Sequence, residues 1–231
     1  MSIPVTLDHL LWAVPDLTAG VQDFADLTGV TPVPGGAHPG LGTANYLVAL
    51  ERSDRPDGPR TCYLEIIGPD PAQQLPADQV NLGVGHVTRP TLHTWAVRPD
   101  DLDATVHAAT VAGVDVGEVR SMERTTPDGR TLRWRLTART PLPLDGVQPF
   151  LIDWVDTPHP SQADLPVLTL VDLTATAPDP AAAAHALETL GAPVPVSPDP
   201  SHGLHAVLDT PRGRVVLDGT AAGGRAAGEQ A

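Results

Sequence analysis

Apolar and polar positions alternate over residues 6–14, and the alternation stops at Pro15-Asp16. This predicts a strand whose two faces meet different surroundings. Asp16 suits a helix cap, and Leu17, Val21, Phe24 and Leu27 follow at helical spacing before Gly29. A helix is therefore expected through about Leu27. A short strand at 30–33 comes next, then a glycine-rich loop, Gly35-Gly36-Ala37-His38-Pro39-Gly40-Leu41-Gly42. Strands at 46–50 and 63–67 flank a turn rich in Asp, Pro and Gly and read as a hairpin. The order is strand, helix, strand, strand, strand.

The opening phrase recurs. Residues 7–17 read L-D-H-L-L-W-A-V-P-D-L, residues 92–102 L-H-T-W-A-V-R-P-D-D-L, and residues 170–180 L-V-D-L-T-A-T-A-P-D-P. The second copy predicts a strand at 92–97 and a helix over 101–112 with Leu102, Val106 and Ala109 on one face. Strands at 114–119, 132–137 and 149–155 follow, with a turn at Pro127-Asp128-Gly129. The third predicts a strand at 168–174, a helix at 180–190, and strands at 194–196, 204–208 and 214–217. The fold class is thus α+β, built of repeated βαβββ modules. Modules 6–68 and 92–156 are expected to pair within a domain spanning 1–161 and to enclose a curved-sheet cleft. A third, divergent module covers 166–218. Residues 69–90 read as a long linker, and 219–231 as a disordered tail of Gly, Ala and polar residues.

Composition narrows the function. Hydrophobic residues make up 41% of the 231, enough for a core, while aromatics are only 3%. The net charge is -14, all 14 basic residues are Arg, and Lys is absent. So acidic a chain argues against nucleic acid and against an anionic membrane as partners. The single Cys62 excludes an internal disulfide and a cysteine-based zinc site. With no membrane-length apolar run and no leader pattern, a cytoplasmic location is the expectation. No G-x-S-x-G occurs, and Cys62 lies in a strand, so no nucleophilic triad is visible.

Several phrases on this duplicated unit carry a resemblance: L-D-H at 7–9, G-G-A-H-P-G-L-G-T-A-N at 35–45, Y-L-E-I-I-G-P-D-P at 63–71, D-G-R-T-L-R-W-R-L-T at 128–137 and F-L-I-D-W-V-D-T-P-H-P-S at 150–161. The chain resembles the vicinal oxygen chelate superfamily, which includes glyoxalase I, extradiol dioxygenases and bleomycin-resistance proteins. Within it, the glyoxalase-like domain proteins are the most similar. The resemblance implies metal ligands on the first and last strands of each paired module. By position it implies His9, Glu65 and Asp153, with Leu92 where a second histidine is expected. His93 is one residue away, on the other strand face unless a bulge turns it. The implied cofactor is a divalent metal: Zn, Fe, Mn or Ni.

Each candidate has a plainer reading beside the functional one. His9 is either a ligand or a hydrogen-bonded core residue. Glu65 interrupts Tyr63-Leu64-Ile66-Ile67, so it needs a metal or a partner such as Arg133 or Arg135. It is also the candidate catalytic base. His38 and Asn45 are candidate substrate-binding residues in the glycine-framed loop. Arg133 and Arg135 share a strand face and either clamp an anionic substrate or face solvent. His159 lies near the cleft rim. In the third module Asp172 and Asp218 occupy the ligand positions, a poor transition-metal pair, so that module is expected to pack on the others or to mediate a homodimer. Two functions follow. One is a metal-dependent lyase, isomerase or dioxygenase acting on a small oxygen-rich metabolite. The other is a metal-free protein that binds or sequesters a small molecule in the same cleft.

Overall fold

The computed structural model describes residues 3–56, 58–125, 131–137 and 139–219. The expected turn at 127–129 and the tail beyond Gly219 lie outside them. The first stretch gives β1 (Leu7–Ala13), α1 (Leu17–Thr28), β2 (Val33–His38), β3 (Thr43–Arg52) and β4 (Cys62–Pro69). The second gives β5 (Thr91–Val97), α2 (Leu102–Val111), β6 (Arg120–Thr125), β7 (Thr131–Leu136) and β8 (Phe150–Asp153). The third gives β9 (Val167–Ala177), α3 (Pro180–Thr189), β10 (Val196–Pro198), β11 (Gly203–Thr210) and β12 (Gly213–Asp218).

The recurring phrase has a local cause. Asp16, Asp101 and Asp179 each cap a helix, accepting a hydrogen bond from the backbone N–H of Ala19, Ala104 and Ala182 at 2.9, 2.9 and 3.0 Å. Such a cap satisfies one of the donors a helix start leaves unpaired. Gly29 then ends α1 with φ 77°, a conformation glycine adopts without strain.

All strands join one mixed sheet in the order β12-β11-β9-β3-β4-β1-β5-β8-β7-β6, with β2 on β3 and β10 on β9. β1 runs parallel to β4, β5 runs parallel to β8, and β1 meets β5 antiparallel at the centre. The outer edge of β3 is divided: β2 pairs with it over Thr43–Leu47 and β9 over Ala49–Arg52. The third stretch therefore continues the sheet of the first. On the sheet face that meets the helices, Leu10, Ile66, Trp95 and Leu151 share one core with Leu170, Leu173 and Leu217. Fully buried Trp95 donates its Nε1–H to the Val147 carbonyl at 2.7 Å. On the other face, Leu11, Ala13, Ile67, Ala96, Phe150 and Ile152 form a smaller cluster.

Three expectations change here. The glycine-rich segment is only half a loop: β2 occupies Val33–His38 rather than 30–33, and residues 39–42 make the turn to β3, with which it pairs. The strand expected at 114–119 lies at Arg120–Thr125. The linker at 69–90 contains two 3-10 turns, Ala77–Gln79 and Asn81–His86, which seat Val80, Leu82 and Val84 in the smaller cluster. Periodicity missed β2 because glycine has no side chain to mark a face. It missed the 3-10 turns because runs so short show no period.

Candidate functional site

A cleft of about 910 Å³, open solvent at its mouth included, lies over the face opposite the helices. Its inner corner is polar and comes from the first half. His9 on β1, Glu65 on β4, and His38 and Asn45 on β2 and β3 all line it. β1 and β4 are parallel with Leu11 opposite Glu65, so Glu65 lies one pleat along from His9 on the same face.

The corner rests on Asp8. The register of β1 against β5 slips between Leu7 and His9, leaving Asp8 as an extra, bulged residue. Its carboxyl is fully buried and accepts from His9 Nδ1 at 2.7 Å, His159 Nε2 at 3.0 Å and Trp154 Nε1 at 3.0 Å. Burial alone would raise its affinity for a proton. The hydrogen bonds from His159 and His9 overcome that and hold the carboxyl well below the ordinary carboxylate range. An ionised carboxylate only accepts, so His9 donates from Nδ1. His9 Nε2 is then the atom turned toward Glu65, 3.5 Å from Oε2. Asn45 Nδ2 braces the other oxygen, Oε1, at 2.7 Å and lies 3.4 Å from His38 Nε2. Asn45 Oδ1 points at Gly35, where any Cβ would collide with it, which accounts for glycine there. The His9 ring stacks on Tyr63, centroids 4.7 Å apart, and meets the edge of Phe150 at 5.5 Å.

The second half contributes differently. β5 and β8 are parallel with Ala96 opposite Phe150, as Leu11 is opposite Glu65. Matching the helix caps Asp16 and Asp101 gives the same correspondence. The counterpart of Glu65 is therefore Phe150, and that of His9 is Thr94. The alignments of Asp153 with Glu65 and of Leu92 with His9 are corrected by this register: Asp153 is three residues past Phe150, hence on the opposite face. Asp153 accepts from Arg135 at 3.0 Å, and Arg135 also reaches Asp103 of α2 at 3.1 Å. Arg133 is exposed beside Glu123 at 3.6 Å. So Arg133, Arg135 and Asp153 lie away from the cleft, and Trp134, Leu136, Ile152 and Trp154 face it instead. Leu92 pairs with Trp12 and is core. His93 is itself a bulged residue, the counterpart of Asp8. It donates from Nε2 to the Leu82 carbonyl at 2.7 Å, and burial lowers its affinity for a proton.

This arrangement tests the metal. The resemblance implies ligands from both halves, but Thr94 and Phe150 supply none. Among the described residues, no three histidine, cysteine, aspartate or glutamate side chains gather to hold an ion. The full ligand set does not fit this cleft. Cys62 is buried, and burial pushes its thiol up to about 12, which leaves it inert. Sequence reasoning passed over Asp8, Tyr63, Trp134 and Trp154. Asp8 stood in the quoted L-D-H phrase, but strict alternation turns it away from His9; only the bulge brings the two together.

The sequence profile of the glyoxalase-like domain family matches residues 7–191. No curated protein matches the sequence. Among solved structures, a hypothetical protein from Staphylococcus aureus superposes with a TM-score of 0.58 at 13% identity, covering 93% of this chain and 85% of that one. Methylmalonyl-CoA epimerase from Mycobacterium tuberculosis gives a TM-score of 0.37 at 19% identity, over 66% of this chain and 88% of that one. The Streptomyces coelicolor epimerase, in complex with 2-nitronate-propionyl-CoA, gives 0.42 at 19% identity, over 69% and 100%. With a mixed sheet folded round a cleft and a family profile spanning most of its length, the chain belongs to the glyoxalase-like domain family of the vicinal oxygen chelate superfamily.

Proposed function

We propose that the cleft binds a small molecule and that His9 and Glu65 move a proton on it, as in isomerase or lyase chemistry. The supporting observation is the held state of His9. Asp8 takes the Nδ1–H, so Nε2 is presented to the cleft as a base oriented by a third group. A proton taken from a carbon beside a carbonyl would pass to Nε2. The imidazolium so formed faces Glu65 across 3.5 Å and is stabilised by it. A divalent ion held by His9 and Glu65 alone would take its remaining ligands from water or substrate.

A second reading, sequestration without chemistry, is favoured by one observation: Thr94 and Phe150 stand where the resemblance implies ligands. One experiment separates the two. Protein purified without added metal is analysed for Zn, Fe, Mn and Ni, then incubated in D2O with a panel of 2-oxo acids, hydroxyketones and thioesters. Proton NMR should show loss of a C–H signal that His9→Ala and Glu65→Gln both abolish, without stoichiometric metal. Binding with no exchange sinks the proton-transfer reading and leaves sequestration. Stoichiometric metal that disappears in His9→Ala restores the metal-dependent enzyme.

A further inference from the structure

Aromatic residues are scarce in this chain and concentrated in one place. It has 4 Trp, 2 Tyr and 2 Phe, and Tyr63, Trp134, Phe150 and Trp154 all line the cleft. Trp134 and Trp154 lie 5.8 Å apart at 43°, a wall rather than a stacked pair. Aromatic rings offer flat faces to flat or cationic partners.

The inner corner has a definite hydrogen-bonding sense. The Nδ1–H of His9 is spent on Asp8, and the Nδ2 of Asn45 is spent on Glu65. What faces the cleft there is Glu65 Oε2, an acceptor, with His9 Nε2 3.5 Å from it and side chains only 8% and 4% exposed. A carboxylate ligand at this point would meet a carboxylate at close range, at a cost that low local dielectric enlarges. A hydroxyl or ammonium would satisfy Glu65 Oε2. Among the described residues lining the cleft, Arg120 is the one arginine; it is exposed on the edge strand β6, away from this corner. An acidic group on the ligand, if there is one, belongs at that outer side. The net charge of -14 adds a long-range bias toward cations and against anions.

We infer that the cleft is specific for a planar aromatic molecule that presents a hydrogen-bond donor, a ring hydroxyl or a ring-borne ammonium, to Glu65. This rests on the reading that the cleft binds a small molecule and does not require proton transfer. Calorimetric titration at pH 7 with 2-naphthol, 2-naphthylmethylammonium, 2-naphthoate and decahydro-2-naphthol tests it. The two planar donors should bind at least about tenfold more tightly than 2-naphthoate, a gap of about 1.4 kcal/mol. Glu65→Gln, nearly isosteric, should bring that gap within about threefold; Trp134→Ala should weaken both donors while keeping the ratio. The saturated decahydro-2-naphthol should bind more weakly than 2-naphthol. Naphthoate binding as well as the donors, or a gap that survives Glu65→Gln, overturns the assignment of the donor. Equal binding of the saturated alcohol overturns the planar requirement. If none of the four binds to protein with a cooperative thermal transition, the cleft-binding reading itself fails.

Discussion

The two sides of the β1–β5 seam carry the same backbone and opposite chemistry. Each strand has one bulged residue followed by one that faces the cleft side. In the first half these are Asp8 and His9; in the second they are His93 and Thr94. Asp8 is an ionised acceptor serving three donors. His93, whose affinity for a proton burial lowers, makes one bond to a carbonyl. Opposite them, Glu65 is braced by Asn45, whereas Phe150 packs. A repeated fold thus preserves the positions where side chains meet without preserving what they do there. On the cleft side of the seam, Glu65 is held by hydrogen bonds and its counterpart Phe150 by contact.

The largest test of that contrast is Asp8→Ala. It strips the acceptor from His9, His159 and Trp154 at once and should cost about 3–5 kcal/mol in urea unfolding. A loss below about 1 kcal/mol would mean the network contributes little. Phe150→Ala should cost about 3 kcal/mol, at the low end for such truncations because the ring borders open space. It should leave the acid sensitivity of the protein unchanged. That sensitivity is the third test. Asp8 is held low only in the folded chain, so on acidification the unfolded chain takes up its proton first. The stability it contributes is complete above the ordinary value of 3.8 and is lost progressively as pH falls below it. Unfolding free energy measured from pH 5 to pH 2 should drop more steeply in wild type than in Asp8→Asn. Equal slopes would break the assignment. The smallest effect belongs to Thr94→Val. The Thr94 hydroxyl is buried with no hydrogen-bond partner among the described residues. Replacing it with a methyl of similar shape should change stability by no more than about 0.5 kcal/mol, or raise it. A loss above about 1 kcal/mol would reveal a bond the second half was not thought to make.

Much of the fold is legible in the chain because the Asp caps and the apolar runs are strong local signals. Every helix starts at the aspartate that the repeated phrase supplies. The site is half legible for a reason of parity. His9, Glu65, His38 and Asn45 are polar interruptions in apolar or glycine-rich context, so they draw attention, and they do converge. Asp153, Arg133 and Arg135 draw the same attention, but their strands present the alternate residues to the cleft. Letters alone did not reveal which parity each strand takes. That depends on register against a neighbour, and register here is shifted by two bulges that no periodicity marks.

The continuous sheet has a consequence for how the molecule meets copies of itself. An uncovered β3 would offer unpaired amides and carbonyls to any passing strand, a route to uncontrolled growth. Pairing with β2 and β9 closes it. The ends of the main strand order are then β6 and β12. Both bear charges of each sign, Arg120 and Glu123 on one, Arg214 and Asp218 on the other. Such edges discourage strand addition at those two strands.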